Sequence, residues 1–268
     1  MNEAALRAEL IGAGLGWRRL DVVEQTGSTN ADLLARAASP GGEADVAGAV
    51  LIAEHQTAGR GRHGRRWSAG PRTQITPRTQ ITMSVGVGAV DVPVEAWGWL
   101  SLATGVAVVD AVAAVTGLRA GLKWPNDVLA GPPASRGKLA GILAEVARPV
   151  VVIGVGLNVA RAPEGVEGAT SLRDLGVPAP DRGDLVRALL TELGRRIVAW
   201  RAARGADRSL VADYRAHSLT IGTRVRAHLP GGRELVGTAT GIDDQGRLCL
   251  QTGHEAVVIS AGDVVHLR

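Results

Sequence analysis

Apolar residues fall along this chain in runs and periods that mark out its elements. Asn2 to Gly12 carries alanines and leucines at helical spacing and stops at glycine, which predicts a short amphipathic helix. Leu20 to Glu24 predicts a strand. Thr26-Gly27-Ser28-Thr29-Asn30 then supplies N-cap residues ahead of ADLLARAA, with Asp32 suited to a first turn. Ala49 to Ala53 and Ile81 to Val87 are apolar runs of strand length. Trp97 to Thr116 carries one charge, Asp110, and predicts a buried helix. Leu122 to Leu129 reads as strand, Pro-Asn-Asp turn, strand. A Gly/Pro-rich turn from Gly131 to Gly137 precedes the run Lys138 to Val146. Val150 to Val159, VVVIGVGLNV, predicts a buried strand whose glycines mark close approach by a ligand or another backbone. Val159 stands where a dinucleotide fingerprint needs glycine. Asp181 to Arg204 puts Leu185, Leu189, Leu193, Ile197 and Trp200 on one helical side, and Leu210 to Arg215 predicts a further short helix.

From Ser218 onward the period shortens. Val225, Ala227 and Leu229 alternate, and Pro230-Gly231-Gly232 turns the chain. Leu235 to Ala239, Leu248 to Leu250, Val257 to Ile259 and Val264 to Leu267 follow, with Asp243 to Gly246 as a turn. About five short strands in about fifty residues predict a small barrel. The boundary is placed near Ala216, giving units 1–216 and 217–268 and an α+β class.

Composition adds limits. A chain of 268 residues holds one large domain, or a main domain with a small one. It has no Phe, so Val, Leu, Ala and six Trp must fill the core. A net charge of +4 without basic tails permits a polyanion partner but does not require one. Cys249 is the single cysteine, which excludes an intramolecular disulfide and a Cys-based zinc cluster and fits a reducing compartment. Charges spread through the first residues leave no apolar core for a signal peptide. No uncharged run approaches the ~20 residues of a membrane span. The chain therefore reads as soluble and cytoplasmic.

Ala53 to Trp67, AEHQTAGRGRHGRRW, departs from every pattern above. Its glycines and arginines cannot bury a face, so it reads as a mobile basic loop leaving a strand. Glycines let a backbone approach an anion, and the arginines suit a multiply charged one such as a nucleoside triphosphate. The stretch alone equally fits a solvated loop or a nucleic-acid contact. Beyond it, PRTQIT at Pro71 to Thr76 recurs unchanged at Pro77 to Thr82. The copy is too short for a solenoid repeat of ~20 residues or more, and it is expected to lengthen the loop.

Five motifs stand in order: Gly27-Ser28-Thr29-Asn30; Glu54-His55-Gln56-Thr57-Ala58-Gly59-Arg60-Gly61-Arg62; Lys123-Trp124-Pro125-Asn126-Asp127; Lys138-Leu139-Ala140-Gly141-Ile142-Leu143; and Gly154-Val155-Gly156-Leu157-Asn158. Together they resemble the biotin–protein ligases, over the catalytic domain and the small barrel. The likeness is to the short form, without the N-terminal DNA-binding domain. It implies a class II aminoacyl-tRNA-synthetase-like mixed or antiparallel sheet flanked by helices, plus an SH3-like barrel. The implied reaction activates biotin with ATP as biotinyl-5′-AMP and transfers it to a lysine of a biotin carboxyl carrier domain of acyl-CoA carboxylases. ATP and biotin are substrates, and Mg²⁺ is implied.

The resemblance assigns roles. Ser28, Thr29 and Asn30 bind the ureido ring, while Gln56, Arg60, Gly61 and Arg62 wrap biotin and the linking phosphate. Gly141, Gly154 and Gly156 leave room for the bicyclic ring and its chain. Lys138 and Arg62 offset the repulsion between carboxylate and phosphate, about 4 kcal/mol for unit charges 4 Å apart at an effective dielectric of 20. Arg65, Trp67, Lys123, Asn126 and Asn158 fall near the nucleotide, and Asp127 is the metal candidate. Each has a plainer reading. Ser28, Thr29 and Asn30 are ordinary helix caps, and Lys138 a solvated loop-end lysine. Trp67 is core packing, Lys123 a strand lysine, Asn126 and Asp127 turn formers, and Asn158 a strand end. The doubled PRTQIT departs from the single copy's length in the family.

Two other functions are weighed. A lipoate or octanoyl ligase of the same superfamily would share the fold and a lysine like Lys138, but would lack the arginine loop together with KWPND. A nucleic-acid-binding protein would use the loop and barrel, but interleaved aromatics for base stacking are missing. The expected partner is the carrier domain, with no DNA and no membrane, in a monomer or weak homodimer. The loop is expected to be disordered without ligand.

Overall fold

The computed structural model describes residues 1–67, 79–163, 166–178, 180–253 and 255–267. The first PRTQIT copy and the start of the second lie outside the described residues. Elements begin where the sequence offers a cap. Asn2 accepts from the Ala5 N–H to open α1 (Glu3–Leu10), which leads to β1 (Arg19–Thr26). Ser28 caps α2 (Thr29–Ala37). After α3 (Gly42–Val46) come β2 (Ala49–Gln56) and β3 (Gln80–Gly88). The apolar run expected as a buried helix is α4 (Gly98–Thr116), closed by Gly117 at φ 72°. It is followed by β4 (Ala120–Lys123), β5 (Asp127–Ala130), β6 (Gly137–Ala147) and β7 (Val150–Asn158). Asp181 caps α5 (Arg182–Ala202), and Asp207 caps α6 (Arg208–His217).

These strands form one mixed seven-stranded sheet in the order β1-β2-β3-β7-β6-β5-β4. β1 and β2 run parallel because α2 and α3 carry the chain back across one face, and the other neighbours are antiparallel. Helices cover both faces. Leu33, Ala37 and Val46 of α2 and α3 bury Leu51, Val150 and Val152 on one side. On the other, α1, α4 and α5 share the larger core. Among the described residues α4 has the length and apolarity to cross a bilayer, but two thirds of its most apolar window is buried. It is the core helix of this sheet. The short α3 has no counterpart in the apolar pattern, because five residues are too few to show a period.

The C-terminal strands are β8 (Arg224–His228), β9 (Glu234–Ile242), β10 (Leu248–Thr252), β11 (Glu255–Ile259) and β12 (Asp263–His266), in the order β11-β10-β9-β8-β12. This small barrel-like sheet docks through tryptophans. Trp99 donates its indole N–H to the Asp244 carbonyl (2.9 Å), and Trp124 donates to that of Gly246 (3.1 Å). The Trp124 backbone N–H reaches Thr220 Oγ1 (3.1 Å). A buried indole N–H needs an acceptor, so these two bonds fix where the barrel sits and bring β12 to the mouth of a cleft in the first sheet.

Candidate active site

The cleft holds about 500 Å³, and every candidate residue named from the sequence lines it. Its floor is a polar cluster at the start of α2. Ser28 accepts from the Ala31 N–H, and the Thr29 N–H donates to Gln56 Oε1 (2.8 Å). Ser84, buried in the middle of β3, donates to Asn30 Oδ1 (2.5 Å) and lies 2.6 Å from Thr29 Oγ1. With the Ser84 proton given to Asn30, the Thr29 hydroxyl is the donor in the short contact with Ser84, and Gln56 Oε1 at 3.1 Å is a second acceptor for the same proton. Asn30 Nδ2 donates to the Leu143 carbonyl (3.2 Å) and to Glu145 Oε2 (3.0 Å). The Asn30 amide is therefore engaged at both ends by protein, and Ser28 and Gln56 line the cavity beside it.

The three glycines expected to make room for a ring line the cleft and have side chains close against them. A Cβ on Gly154 would lie 2.3 Å from Asn30 Oδ1, so that glycine admits the amide. A Cβ on Gly156 would lie 2.1 Å from the Trp67 indole, and one on Gly141 2.7 Å from it. Trp67 thus lies against the β6–β7 backbone, inside the cleft and not at its rim. Its Nε1 is buried and unpartnered.

The basic stretch, read from the sequence as a loop, is a short hairpin. It turns back on itself, with Gly61 N–H donating to the Arg65 carbonyl, Trp67 N–H to that of Gly59, and a bridge between Arg60 and Arg66. His63 and Gly64 take positive φ (55° and 71°) at the tip, where glycine lowers the strain. The arginines find acceptors that composition could not reveal. Arg60 pairs with Glu145 (2.8 Å). Arg62 Nη1 donates to Asn126 Oδ1 (3.1 Å), the Gly262 carbonyl (3.2 Å) and Asp263 Oδ1 (3.4 Å). Arg65 donates to the other Asp263 oxygen (2.7 Å). Burial pulls the Arg62 pKa below its ordinary value against the opposing pull of Asp263 and Asp127, and the guanidinium stays charged.

Lys138 opens β6 beside this hairpin. Its Nζ lies 2.5 Å from Asp127 Oδ1 and 5.8 Å from the Trp67 ring centre. The ammonium meets that oxygen at ion-pair distance but outside hydrogen-bond alignment, which leaves the buried Oδ1 without a hydrogen-bond donor. Asn158 donates to the Thr170 carbonyl (2.9 Å) and accepts from Gln80 (2.8 Å). Lys123 lines the wall near His266. Burial, then the nearby charges of Lys123 and Arg136, lower the pKa of that imidazole.

Sequence reasoning missed Ser84, Glu145 and Asp263. Ser84 left a signal, since a hydroxyl in the apolar run ITMSVGV must find a partner. Glu145 reads as the solvent side of an alternating strand end, and nothing in the sequence links Asp263 to Arg62, two hundred residues away. No cluster of three or more His, Cys, Asp or Glu suited to a metal exists among the described residues.

Comparison with known proteins identifies the family. Residues 43–158 match the biotin/lipoate A/B protein ligase family, and residues 220–267 match the biotin protein ligase C-terminal domain. The chain is 65% identical over 272 aligned residues to a biotin–[acetyl-CoA-carboxylase] ligase of Mycobacterium tuberculosis, covering all of this chain and 96% of that protein. It is 31% identical to the bifunctional ligase/repressor BirA of Bacillus subtilis, over 97% of this chain and 76% of the relative. The fold is similar to that of the biotin protein ligase from Aquifex aeolicus in complex with biotin and ATP, with a TM-score of 0.75 at 23% identity. That match covers 94% of this chain and all of the other. A Leishmania major ligase in complex with biotinyl-5-AMP matches at a TM-score of 0.60 and 25% identity, over 94% and 99% of the two chains. An arginine hairpin closed over a capped helix start, and relatedness along the whole chain, lead to one conclusion: this chain belongs to the biotin protein ligase family.

Proposed function

We propose that the cleft joins the carboxylate of biotin to the α-phosphate of ATP and then passes the biotinyl group to a lysine of a carboxylase carrier domain. One observation carries this reading. Lys138 and the arginine hairpin converge on the same 500 Å³ cavity as the Ser28, Thr29 and Gln56 cluster, so a ureido-sized polar ring and a charged phosphate fit side by side. Burying a ureido group requires paired donors and acceptors, because each unpaired buried polar group costs roughly 1–3 kcal/mol. The cluster has that capacity in the Ser28 hydroxyl and the Gln56 amide. Trp67 lines the same cavity, and its ring is available to stack on a base.

In the first step a carboxylate oxygen bonds to the α-phosphorus and the bond to pyrophosphate breaks. Lys138 and Arg62 lower the repulsion between two anions, and neither needs to act as a nucleophile. Arg65, Lys123 and Asn126 hold the nucleotide, and Asn158, bonded at both ends of its amide by protein, supports the wall beside it. In the second step the carrier lysine amine attacks the acyl carbon, loses a proton, and AMP leaves with the C–O bond electrons. Mg²⁺ normally binds with phosphate oxygens and one or two carboxylates, and Asp127, whose Oδ1 is ion-paired with Lys138 here, is the carboxylate that would hold it. When bound it would neutralise phosphate charge. We further place the protein in the cytoplasm, as a monomer or weak homodimer with no DNA partner.

The test is to incubate the protein with biotin, Mg·ATP and a purified biotin-carrier domain and weigh the intact carrier. A biotinyl mass added to one lysine supports the proposal. No added mass, or equal transfer of octanoate or lipoate, refutes it.

A further inference from the structure

Glu145 lies on β6, outside the residues that line the cleft, yet it touches both parts of the site. Its Oε1 receives the Arg60 guanidinium at 2.8 Å, and its Oε2 receives the Asn30 amide at 3.0 Å. The Asn30 carbonyl end is bonded to Ser84, which in turn accepts from Thr29. One carboxylate therefore ends a directed chain of donors, Thr29 to Ser84 to Asn30 to Glu145, and meets the hairpin cation from its other side. Glycine at 154 leaves room for the amide that the chain runs through.

We propose that Glu145 is a positioning residue that orients the ring-binding cluster and the arginine hairpin at once. The inference rests on the proposed function for the identity of the ring, but the clasp itself is independent of any ligand. With both oxygens occupied, Glu145 fixes which way the Asn30 amide faces. That orientation sets the Ser84 and Thr29 hydroxyls, and Thr29 lines the cavity. The same carboxylate holds Arg60, whose neighbours Gly61 and Arg62 close the cavity. Asn30 thus acts through Thr29 and not by direct contact with the ligand.

Glu145→Gln is the discriminating variant, because it keeps shape and volume while its amide offers an acceptor to only one of the two donors. The other donor then faces an N–H₂ group. Trypsin cleavage between Arg60 and Arg66 in the ligand-free protein is expected to accelerate about fivefold. Biotin Kd, by calorimetry, should rise about tenfold while the KM for ATP stays within about twofold. The melting temperature should stay within about 3 °C of wild type, and Glu145→Ala should repeat the pattern with a larger rise in both readouts. Cleavage and biotin affinity both unchanged would overturn the proposal. Faster cleavage with unchanged biotin affinity would overturn the joint role, and so would an equal loss for biotin and ATP. A wild-type protein that binds no biotin refutes the function instead, and the ligand-free cleavage rates still decide the clasp.

Discussion

The two walls of the cleft hold their chemistry by different means. On one wall, β6 and β7 set Gly141, Gly154, Gly156 and Asn158 by strand register, and each glycine is filled by a specific neighbour. On the other, long cations reach in from a hairpin anchored by two carboxylates, Glu145 and Asp263. The first wall works by steric exclusion and backbone bonding, which tolerate little. The second works by charge, and its pairs differ in weight. Arg65 is 62% exposed and its pair with Asp263 is the kind worth ~0–1 kcal/mol. Arg62 is 20% exposed and makes three hydrogen bonds, so it is the member that fixes the hairpin. Changes on the first wall should damage fold and function together, and changes on the second should damage function alone.

The largest effect should come from Gly156→Val. The new side chain takes the volume of the Trp67 indole, and adenylate formation should drop about a hundredfold or more, with a melting temperature several degrees lower. Stopped-turnover assays and calorimetry on the same preparation check this, and intact activity would break the account of the first wall. Lys138→Met should cost a similar factor of about 10² to 10³ in adenylation, comparable to deleting one preorganised charge stabiliser, with little change in melting. Arg62→Gly should come next. Release of adenylate into solution should rise about tenfold or more while the melting temperature holds within about 3 °C, and a melting collapse without a leak would contradict the second wall. Asp263→Asn should be milder, with adenylate release up about twofold to fivefold, since the pairs with Arg62 and Arg65 are both lost but one oxygen acceptor remains and Arg62 keeps Asn126 and the Gly262 carbonyl.

The smallest expected effect concerns pH at the seam between the walls and the barrel. His266 Nε2 lies 3.0 Å from Thr220 Oγ1, and burial followed by Lys123 and Arg136 lowers its folded pKa. Below the ordinary value of 6.5 the unfolded chain takes a proton that the folded one refuses. Stability should therefore be complete above that value and decline as pH falls toward the folded value. Melting measured from pH 7.5 down to 5.5 should fall about 2 °C more in wild type than in His266→Gln, which keeps a polar partner for Thr220.

The first wall was largely legible in the sequence, and the second was not. Glycines inside VVVIGVGLNV had to mean close approach, since nothing else excuses them from a core strand. The pattern could not say that the approaching groups are Trp67 and Asn30, because those contacts depend on how the hairpin folds and how an amide rotates. β2, β3 and β7 follow from their apolar runs and the C-terminal strands from alternation and turn residues, while Lys138 to Val146 gave no element type and is the strand β6. The basic stretch shows its cations but not its acceptors. Those are single acids on β6 and β12, and an isolated Glu or Asp at a strand end looks the same whether it faces water or an arginine.

The claim at the centre is that this one cavity makes biotinyl-AMP. Native mass spectrometry of the purified protein after incubation with biotin and Mg·ATP tests it without a carrier. The account predicts a retained ligand of the mass of biotinyl-AMP in wild type, with little or none in Lys138→Met. A wild-type protein that retains no such ligand, with pyrophosphate release at the no-enzyme background, would contradict it.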